Sequence, residues 1–392
     1  MDERMGMPQA EKLSVLKGRP LWIHAVSVGE VQAASALIKE IRTRGFSRQI
    51  VLSTTTETGK AMAMRLSEGL FDLHVYYPWD NRKYIRSALD RINPAAFIVL
   101  ETEIWPNMLW ELQARKIPAF LANGRISERT WKNIQKYPVA KKLFSELFGI
   151  FDGIFLREQL DFDRLRALGI SEEKIKITGD LKIDALLNRI QPEAKEKWQT
   201  LLHAEKGQLY VAGSTHTGED EIVVSAFEKL KKTSPNARLI LAPRHPERAE
   251  ALCSQFENSF KICRLSELTE DFEIVVIDKI GVLFELYGVS EAAFIGGSFT
   301  DNGGQNILEP VAWGTPVQYG PHMEDFAEAS QEFLSRGISA QLNSAEELAE
   351  TWCAIAEGKT DVETVRGQCR QYFAEKAGAA CKICDAAAKS MK

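Results

Sequence analysis

The sequence lacks any apolar run long enough to cross a membrane. A membrane-spanning helix needs about 20 consecutive apolar residues, whereas the apolar segments of this chain are short and are interrupted by charged residues. The N-terminal residues MDERMGMPQAEK also lack the apolar centre of a signal peptide. These absences argue against an integral membrane protein and predict that the chain, as given, is cytosolic.

The chain also lacks a strong excess of charge of either sign. Its formal net charge is -5 over 392 residues, which gives no global field that would attract nucleic acid. Its six cysteines all lie in the second half and are typical of a reduced protein. Cys381 and Cys384 have C-x-x-C spacing, but no second ligand pair accompanies them, so we interpret them as helix residues. We expect neither a nucleic-acid partner nor a metal ion.

Several nucleotide and metal motifs are missing. The chain has no G-x-x-x-x-G-K-[ST] motif, no G-x-G-x-x-G motif after its first apolar run, and no H-E-x-x-H motif. The sequence therefore lacks the motifs that usually accompany ATP hydrolysis, dinucleotide redox chemistry and zinc-dependent hydrolysis. Group transfer from an activated nucleotide remains, and it needs no cofactor.

Apolar strand-like runs alternate with amphipathic helical patterns along nearly the whole chain, which is typical of a parallel α/β fold. A polar, proline-containing stretch at residues 188–207 interrupts the alternation. We therefore predict two Rossmann-like domains, at residues 1–187 and 208–392, joined by that linker. The last residues, from Asp361 to Lys392, read as a helical tail that could pack across either domain.

Ligands of such sheets bind beyond the carboxyl ends of the strands. We therefore take the polar residues that follow each predicted strand as site candidates. Carboxylates dominate in the first domain, which suits the binding of a group acceptor. Its candidates are Ser27, Gly29, Glu30, Glu101, Glu103 and Arg125, with Thr54 to Thr56 and Asn123 at neighbouring strand ends.

The second domain instead offers residues that suit a phosphate or a nucleotide. Its glycine-rich stretch GGSFTDNGGQN would let the backbone approach an anion, and the helix predicted near Asn306 would present free N–H groups. Arg244 could add a forked contact, and Glu309 could accept both hydroxyls of a ribose. Alternatively, the glycines only form a tight turn and Glu309 only stabilises its helix. The donor-side candidates are Ser214, Thr215, His216, Arg244, His245, Gly296, Gly297, Ser298, Gly303, Gly304, Gln305, Asn306, Glu309 and His322.

Ten short strings together resemble the Kdo (3-deoxy-D-manno-oct-2-ulosonic acid) transferases of lipopolysaccharide synthesis. They are HAVSVGE, STTTETG, ETEIWPN, ANGRIS, TGDLKID, GSTHTGE, APRHPER, GGSF, GGQNILEP and GPHMEDF, and they cover residues 22 to about 330. The resemblance implies the GT-B architecture of two Rossmann-like domains facing a cleft. It also implies transfer of Kdo from CMP-Kdo to a tetra-acylated lipid A precursor, with inversion at the sugar and without a metal.

The resemblance further implies a peripheral place on the cytoplasmic face of the inner membrane. Members of the family usually begin with a hydrophobic anchor, whereas this sequence begins at MDERMG, so membrane contact is expected either from a removed anchor or from elsewhere. The stretch RISERTWKNIQKYPVAKK (Arg125 to Lys142) has six basic residues against one acidic residue, with Trp131 and Tyr137 among them. It predicts contact with an anionic membrane surface, although an ordinary solvated helix face fits the same composition.

Glu30 is the predicted general base. A single displacement with inversion needs one carboxylate to accept the proton of the attacking hydroxyl, and a helix N-terminus would favour the ionised form of Glu30. Gly29 would leave room for substrate. Position alone fits a glutamate that merely stabilises its helix, and the resemblance favours the base. Glu101 and Glu103 are expected to orient the acceptor or to pair with Arg125.

His216, His245 and Arg244 are expected to stabilise charge on the departing CMP phosphate or to hold the donor's carboxylate. A histidine at a strand end more often only hydrogen-bonds a loop.

Two other functions of the same fold stay open, a sugar-nucleotide 2-epimerase and a non-catalytic nucleotide-sugar binding protein. The number of Kdo units transferred depends on the shape of the acceptor site.

Overall fold

The computed structural model of the protein describes residues 2–66 and 69–391. The chain divides into two units. The first comprises Met1–Asn188 and Lys376–Lys392, and the second comprises Arg189–Glu375. Each contains a seven-stranded sheet. Within the described residues, no helix is both long and apolar enough to span a bilayer.

The first unit is built on a parallel sheet with strand order β3-β2-β1-β4-β5-β6-β7. Its strands are β1 (Leu21–His24), β2 (Ile50–Thr54), β3 (Leu73–Tyr76), β4 (Ala96–Leu100), β5 (Ala119–Gly124), β6 (Gly153–Leu156) and β7 (Ile175–Ile177). Its helices up to the unit boundary are α1 (Ala10–Leu13), α2 (Val28–Thr43), α3 (Glu57–Leu66), α4 (Arg82–Ile92), α5 (Pro106–Ala114), α6 (Glu128–Lys136), α7 (Pro138–Ile150), α8 (Gln159–Ala167) and α9 (Leu181–Leu187).

Strand β1 is buried throughout because helices cover both faces of the sheet. Side chains alternate between the two faces along a strand. Trp22 accordingly packs in one apolar cluster with Ile85 of α4, while Ile23 packs in another with Leu37 of α2. The sheet is therefore the middle layer of three.

The second unit repeats this plan with strand order β10-β11-β9-β8-β12-β13-β14, again parallel. Its strands are β8 (Leu209–Thr215), β9 (Arg238–Pro243), β10 (Ile262–Arg264), β11 (Ile274–Val276), β12 (Ala292–Ile295), β13 (Val317–Tyr319) and β14 (Ser339–Gln341). Its helices are α10 (Pro192–Leu201), α11 (Glu219–Thr233), α12 (Ala249–Phe256), α13 (Leu283–Tyr287), α14 (Leu308–Ala312), α15 (Ala327–Ser335), α16 (Ala345–Ala356) and α17 (Val362–Lys376).

The strand order reverses direction once in each sheet, between β1 and β4 in the first and between β8 and β12 in the second. Ligands of open α/β sheets bind at such switch points, beyond the carboxyl ends of the strands. Glu30 and Glu101 follow β1 and β4, whereas Ser214 and Gly296 lie at the ends of β8 and β12. The topology thus brings the predicted carboxylates to one switch point and the predicted nucleotide residues to the other.

The C-terminal residues return to the first unit, whereas the sequence analysis grouped them with the second domain. Helix α18 (Ala379–Met391) packs on α2, and Ile383 and Cys384 are buried in the apolar cluster there. Both carboxylate oxygens of Asp184 accept backbone hydrogen bonds, from Gly378 N and Ala380 N, each at 2.7 Å. Apolar burial and these two hydrogen bonds hold the C-terminal residues on the first unit.

The predicted linker carries the start of the second unit rather than an irregular connection. Helix α10 fills half of it, and Trp198 of that helix is buried. Trp198 Nε1 donates to Glu285 Oε2 at 2.6 Å. Residues 189–207 therefore group with the second unit.

Candidate active site

Glu30 lies in the first turn of α2 and forms a capping box with Ser27. The Ser27 Oγ accepts from Glu30 N at 3.3 Å, and Glu30 Oε1 accepts from Ser27 N at 3.3 Å and from Ser27 Oγ at 2.9 Å. Glu30 Oε2 accepts from Val26 N at 2.8 Å. Both carboxylate oxygens are therefore held in a fixed orientation at the end of β1.

The electrostatic state of Glu30 differs from the sequence argument, which expected the helix to favour the ionised form. The side chain is only 4% exposed. Burial raises the pKa of Glu30, the hydrogen bonds from Val26 and Ser27 lower it, and the Glu101 charge raises it, with a net increase. Burial outweighs the helix terminus, so Glu30 binds a proton more readily than an exposed glutamate.

Glu101 follows β4 and adopts a left-handed backbone conformation, with φ of +54°. Such a conformation is strained for a residue other than glycine and is found most often at functional sites. The Glu101 carboxylate forms an ion pair with Lys182, at the start of α9. Of the two roles expected for Glu101 and Glu103, the ion pair with Arg125 is not the one that Glu101 forms among the described residues, because its partner is Lys182 and the Arg125 side chain is exposed. Only the Arg125 backbone reaches this loop, where its N–H donates to Thr102 Oγ1 at 3.0 Å.

Lys182 also occupies the space above Gly29 that was predicted to admit substrate. A Cβ at position 29 would lie 3.4 Å from Lys182 Cε and 3.5 Å from its Nζ. Both are ordinary van der Waals distances, so Lys182 lies over Gly29 without requiring a glycine there. The sequence contained Lys182 in the string TGDLKID, but nothing in its spacing indicated that it would reach Glu101.

Glu103 completes a group of three carboxylates at this switch point. Burial and the neighbouring charges of Glu30 and Glu101 raise the pKa of Glu103 to about 7. Like charges in a partly buried site cannot all ionise without repulsion. Glu103 therefore exchanges a proton near neutral pH, which suits a site for general acid–base chemistry.

In the second unit, the fully buried Glu219 organises the glycine-rich loop. Its carboxylate accepts backbone hydrogen bonds from Gly297 N at 2.7 Å, from Ser298 N and Phe299 N at 2.9 Å each, and from His216 N at 2.8 Å. Gly297 and Ser298, both donor-side candidates, thus give their backbone N–H groups to the protein's own carboxylate. Sequence reasoning missed Glu219 because it passed for an ordinary first-turn glutamate of α11.

The glycines of this loop meet backbone constraints, as the tight-turn alternative expected. A Cβ at Gly296 would lie 2.2 Å from the Ser214 carbonyl oxygen. Gly304 has φ of +77°, and a Cβ there would lie 2.4 Å from Met323 Sδ. The loop fold therefore requires glycine at both positions, whatever binds near them.

The helix predicted near Asn306 is α14, which is only five residues long. Asn306 Oδ1 accepts from Leu308 N at 3.0 Å, so the Asn306 side chain occupies one of the N–H groups expected to be free. A short helix also has a weak dipole. Gly303, Gln305 and Asn306 thus remain candidates through their loop backbone rather than through a helix terminus.

The remaining residues at the end of β8 lie beside those at the end of β9. Ser214 is left-handed, with φ of +57°, and Arg244 N donates to Thr215 O at 2.9 Å. The rings of His216 and His245 meet edge to face, with centroids 6.4 Å apart. His216 Nε2 is buried and has no hydrogen-bond partner among the described residues. The side chains of Arg244 and His245 are exposed and could therefore contact a ligand.

Glu309 and His322 both have partners within the protein. Glu309 Oε1 accepts from Arg189 Nη1 at 2.7 Å, and the Arg189 guanidinium lies 4.0 Å from the centre of the Phe284 ring. His322 Nδ1 lies 3.2 Å from Glu324 Oε1, and His322 N donates to Ser298 O at 2.9 Å. Arg189 was missed because it falls within the predicted linker.

Comparison with known proteins identifies the family. A family model described as 3-deoxy-D-manno-octulosonic-acid transferase matches residues 1–185. The 3-deoxy-D-manno-octulosonic acid transferase of Haemophilus influenzae is 33% identical over 345 residues, which are 83% of this chain and 80% of that protein. This chain belongs to the Kdo transferase family. As a Kdo transferase it is an enzyme and a glycosyltransferase.

Two further similarities add context to this Kdo transferase. A bifunctional glycosyltransferase/methyltransferase of Fusobacterium nucleatum is 31% identical over 352 residues, and the match covers 88% of this chain but only 54% of that protein. The solved UDP-GlcNAc 2-epimerase of Neisseria meningitidis has a TM-score of 0.63 at 16% identity, covering 95% of this chain and all of that one. The second likeness shows the fold alone, and it confirms the predicted α/β class of two Rossmann-like units in the GT-B manner.

Proposed function

We propose that the enzyme transfers Kdo from CMP-Kdo to a lipid A precursor, with inversion at the anomeric carbon and Glu30 as the general base. The observation that carries this proposal is the orientation of the Glu30 carboxylate by Val26 and Ser27 at the β1/β4 switch point, beside Glu101 and Glu103. The reaction needs no metal ion and no cofactor, as the family resemblance implies.

The proposed step is a single displacement. The acceptor hydroxyl oxygen bonds to the anomeric carbon while the bond from that carbon to the CMP phosphate oxygen breaks, and CMP leaves with the electron pair. Glu30 accepts the hydroxyl proton. Its raised pKa brings the carboxylate closer to the operating pH, where a general base is most effective.

On the acceptor side, Glu101 and Glu103 would hydrogen-bond neighbouring hydroxyls of the acceptor sugar. The Lys182 ion pair supports this role for Glu101, because it fixes the carboxylate while leaving the second oxygen to a ligand. Ser27 holds the base in place and Arg125 would contribute an exposed cation. Gly29 lies beside Lys182 and stays a candidate for contact with the acceptor.

On the donor side, Arg244, His216 and His245 would balance charge on the departing CMP phosphate or bind the carboxylate of Kdo. The buried Nε2 of His216, which lacks a partner within residues 2–66 and 69–391, supports a polar ligand there. Glu309 would accept ribose hydroxyls through the oxygen that Arg189 does not use. The CMP phosphate would lie along the loop formed by Gly303, Gly304, Gln305 and Asn306.

Helices α6 and α7 are proposed to bind a membrane surface, where the enzyme would act. The basic stretch forms two helices rather than one, and its apolar side chains Tyr137 and Val139 are 52% and 82% exposed. Lys136 Nζ lies 5.4 Å from the centre of the Tyr137 ring. Exposed apolar residues among cations are typical of a surface that binds anionic lipid.

The deciding experiment is incubation of the protein with labelled CMP-Kdo and the lipid A precursor, followed by mass spectrometry. We expect the lipid to gain the mass of Kdo and CMP to be released in equal amount. The number of mass increments gives the number of Kdo units added. An altered nucleotide sugar formed without lipid would support an epimerase instead, and binding of donor without any product would support a non-catalytic role.

A further inference from the structure

A basic groove runs along α4, and its lining residues include none of the carboxylates or nucleotide candidates described above. Its volume is about 680 Å³, and it is lined by Arg82, Lys83, Arg86, Ser87, Asp90 and Arg91. The single acidic side chain in this lining, Asp90, is neutralised by Arg115 at 2.6 Å. The groove therefore presents a clear excess of positive charge.

Glu111, on the neighbouring helix α5, holds two arginines of the groove by the same atom. Its Oε1 accepts from Arg82 Nε at 2.8 Å and from Arg86 Nε at 2.9 Å. Glu111 is only 4% exposed, whereas the side chains of Arg82 and Arg86 are 67% and 51% exposed. A buried carboxylate thus anchors two exposed guanidinium groups one helical turn apart.

This anchoring leaves the terminal amino groups of both arginines available. Within the described part of the chain, no hydrogen bond engages the Nη atoms of Arg82 or Arg86. A guanidinium offers its N–H donors in a planar fork that matches a phosphate oxygen pair. Fixing each fork through Nε lowers the conformational entropy that a ligand would otherwise have to remove.

A purely structural ion-pair cluster does not account for the charge. Burial raises the pKa of Glu111, but the hydrogen bonds from Arg82 and Arg86 lower it further, so Glu111 stays ionised. One guanidinium would neutralise one carboxylate. The second anchored arginine, together with Lys83 and Arg91, remains as uncompensated positive charge on the surface of the first unit.

We propose that Arg82 and Arg86, oriented by Glu111, form a binding site for a phosphate monoester. The anion would accept bidentate hydrogen bonds from the two guanidinium groups, and Lys83 would add a point charge. The site lies outside the residues proposed for acceptor and donor, so it stands independently of the proposed reaction. The ligand is either the phosphate of a lipid headgroup at a membrane surface or a soluble phosphate.

Two titrations test the site with the full chain. The first is calorimetry with glycerol 3-phosphate, and the second is flotation with phosphatidylcholine vesicles that contain either phosphatidic acid, a monoester, or phosphatidylglycerol, a diester. We expect binding of the soluble monoester, or a preference for phosphatidic acid over phosphatidylglycerol, and either result supports the monoester site. Binding of glycerol 3-phosphate without a preference for phosphatidic acid identifies the ligand as a soluble phosphate. A preference for phosphatidic acid without binding of glycerol 3-phosphate identifies it as a lipid headgroup. Absence of both results overturns the proposal.

Variants separate a built site from a diffuse positive field. Glu111→Gln removes a negative charge and so makes the groove more positive. If a diffuse positive field binds the anion, this variant should bind it more tightly. If the anchored arginines bind it, the variant should bind more weakly, because it has lost the anchor. Arg82→Lys/Arg86→Lys keeps the charge and removes the forks, and we expect its affinity to fall about 10-fold. Lys197→Gln/Lys232→Gln, on exposed positions of the second unit, is the matched control and should bind as the wild type does.

Melting curves establish that each variant is folded before its affinity is compared. The double lysine variant keeps the inference testable if Glu111→Gln fails to fold, since Arg82 and Arg86 are exposed. Wild-type affinity in the double lysine variant, or tighter binding in a folded Glu111→Gln variant, contradicts the proposed site.

Discussion

Ser27 and Glu30 each accept a hydrogen bond from the other's backbone at the start of α2, so the proposed base also caps its own helix. The two roles predict different effects of the same substitution. In Glu30→Gln the amide still serves in a capping box, because glutamine is accepted at that position. It cannot take the acceptor proton, so turnover should fall about 100-fold or more. Kdo transfer rates and melting curves measure the two effects.

Ser27→Ala is the matched control for Glu30→Gln. It removes the cap and should lower the free energy of unfolding by about 1 kcal/mol. It keeps the carboxylate, so transfer should fall far less than in Glu30→Gln. A Glu30→Gln protein that melts early yet retains transfer would show that Glu30 is structural, and Glu101 or Glu103 would become the candidate base.

The raised pKa of Glu103 predicts a pH dependence of stability. Its pKa rises from the ordinary value of 4.5 to about 7, chiefly by burial and then by the charges of Glu30 and Glu101. Between these two values the folded state binds a proton that the unfolded state has lost, so stability falls as the pH rises through this window. Glu103→Gln should reduce that loss, and Glu30, whose pKa is also raised, accounts for part of what remains. Urea unfolding of both proteins at pH 5 and pH 8 measures the difference.

The exposed Glu173→Gln substitution is the control for Glu103 and should leave the pH profile of stability unchanged. If wild type and Glu103→Gln lose stability in parallel between pH 5 and pH 8, another group is responsible.

The donor site predicts that Arg244→Ala and Glu309→Ala each weaken CMP binding without unfolding the protein. Each loses a charge-assisted contact, so we expect an affinity roughly 10-fold lower. Arg189→Met should weaken CMP binding as well, because Arg189 orients the Glu309 carboxylate at 2.7 Å. Calorimetric titration with CMP measures all three. Unchanged affinity in both alanine variants would rule out this placement of the nucleotide.

The four backbone hydrogen bonds accepted by Glu219 make it the residue on which the glycine-rich loop depends. Glu219→Ala would leave these N–H groups buried without a partner, so the free energy of unfolding should fall by about 3 kcal/mol or more. CMP affinity should fall with it. Glu228→Gln, exposed on the same helix, is the control. A Glu219→Ala protein of wild-type stability would show that the loop has other supports.

Helices α6 and α7 predict binding to anionic vesicles that weakens with salt. Removal of three cations in Lys136→Gln/Lys141→Gln/Lys142→Gln should reduce vesicle affinity by about 3 kcal/mol, at around 1 kcal/mol per charge. Sedimentation with phosphatidylglycerol vesicles measures it, and Lys195→Gln/Lys197→Gln/Lys232→Gln is the matched control. Equal sedimentation with neutral and anionic vesicles would indicate an ordinary solvated surface.

The sequence was sufficient for the architecture because strand and helix periodicities are local. The apolar run of β1 and the helical spacing of Val31, Ala34, Ile38 and Ile41 predicted one strand–helix unit, and the structure confirms it. The same alternation predicted the second sheet. The residues at strand ends could be predicted as well, since parallel strands carry all their carboxyl ends to one edge.

The partners of those residues could not be predicted. Lys182 reaches Glu101 across 81 positions of sequence, and Glu219 meets Gly297 across 78, so no local spacing records either contact. Burial also decides the pKa of Glu30, and burial depends on packing from α2, α9 and neighbouring strands. Periodicity predicts the position of a residue in a helix or strand. The charge state of its side chain and the partner that it contacts depend on the tertiary structure.

The return of α18 to the first unit makes the second unit an insertion within it. The polypeptide leaves the first unit after Asn188 and re-enters it at Lys376. A chimera that exchanges the second unit between relatives must therefore be joined at both places. An N-terminal fragment that stops at the first joint would lack Ile383 and Cys384 of α18, which are buried in the apolar cluster that α2 shares, and would leave that cluster incomplete. Such a fragment should need the C-terminal helix, added as a separate peptide or fused, to remain soluble.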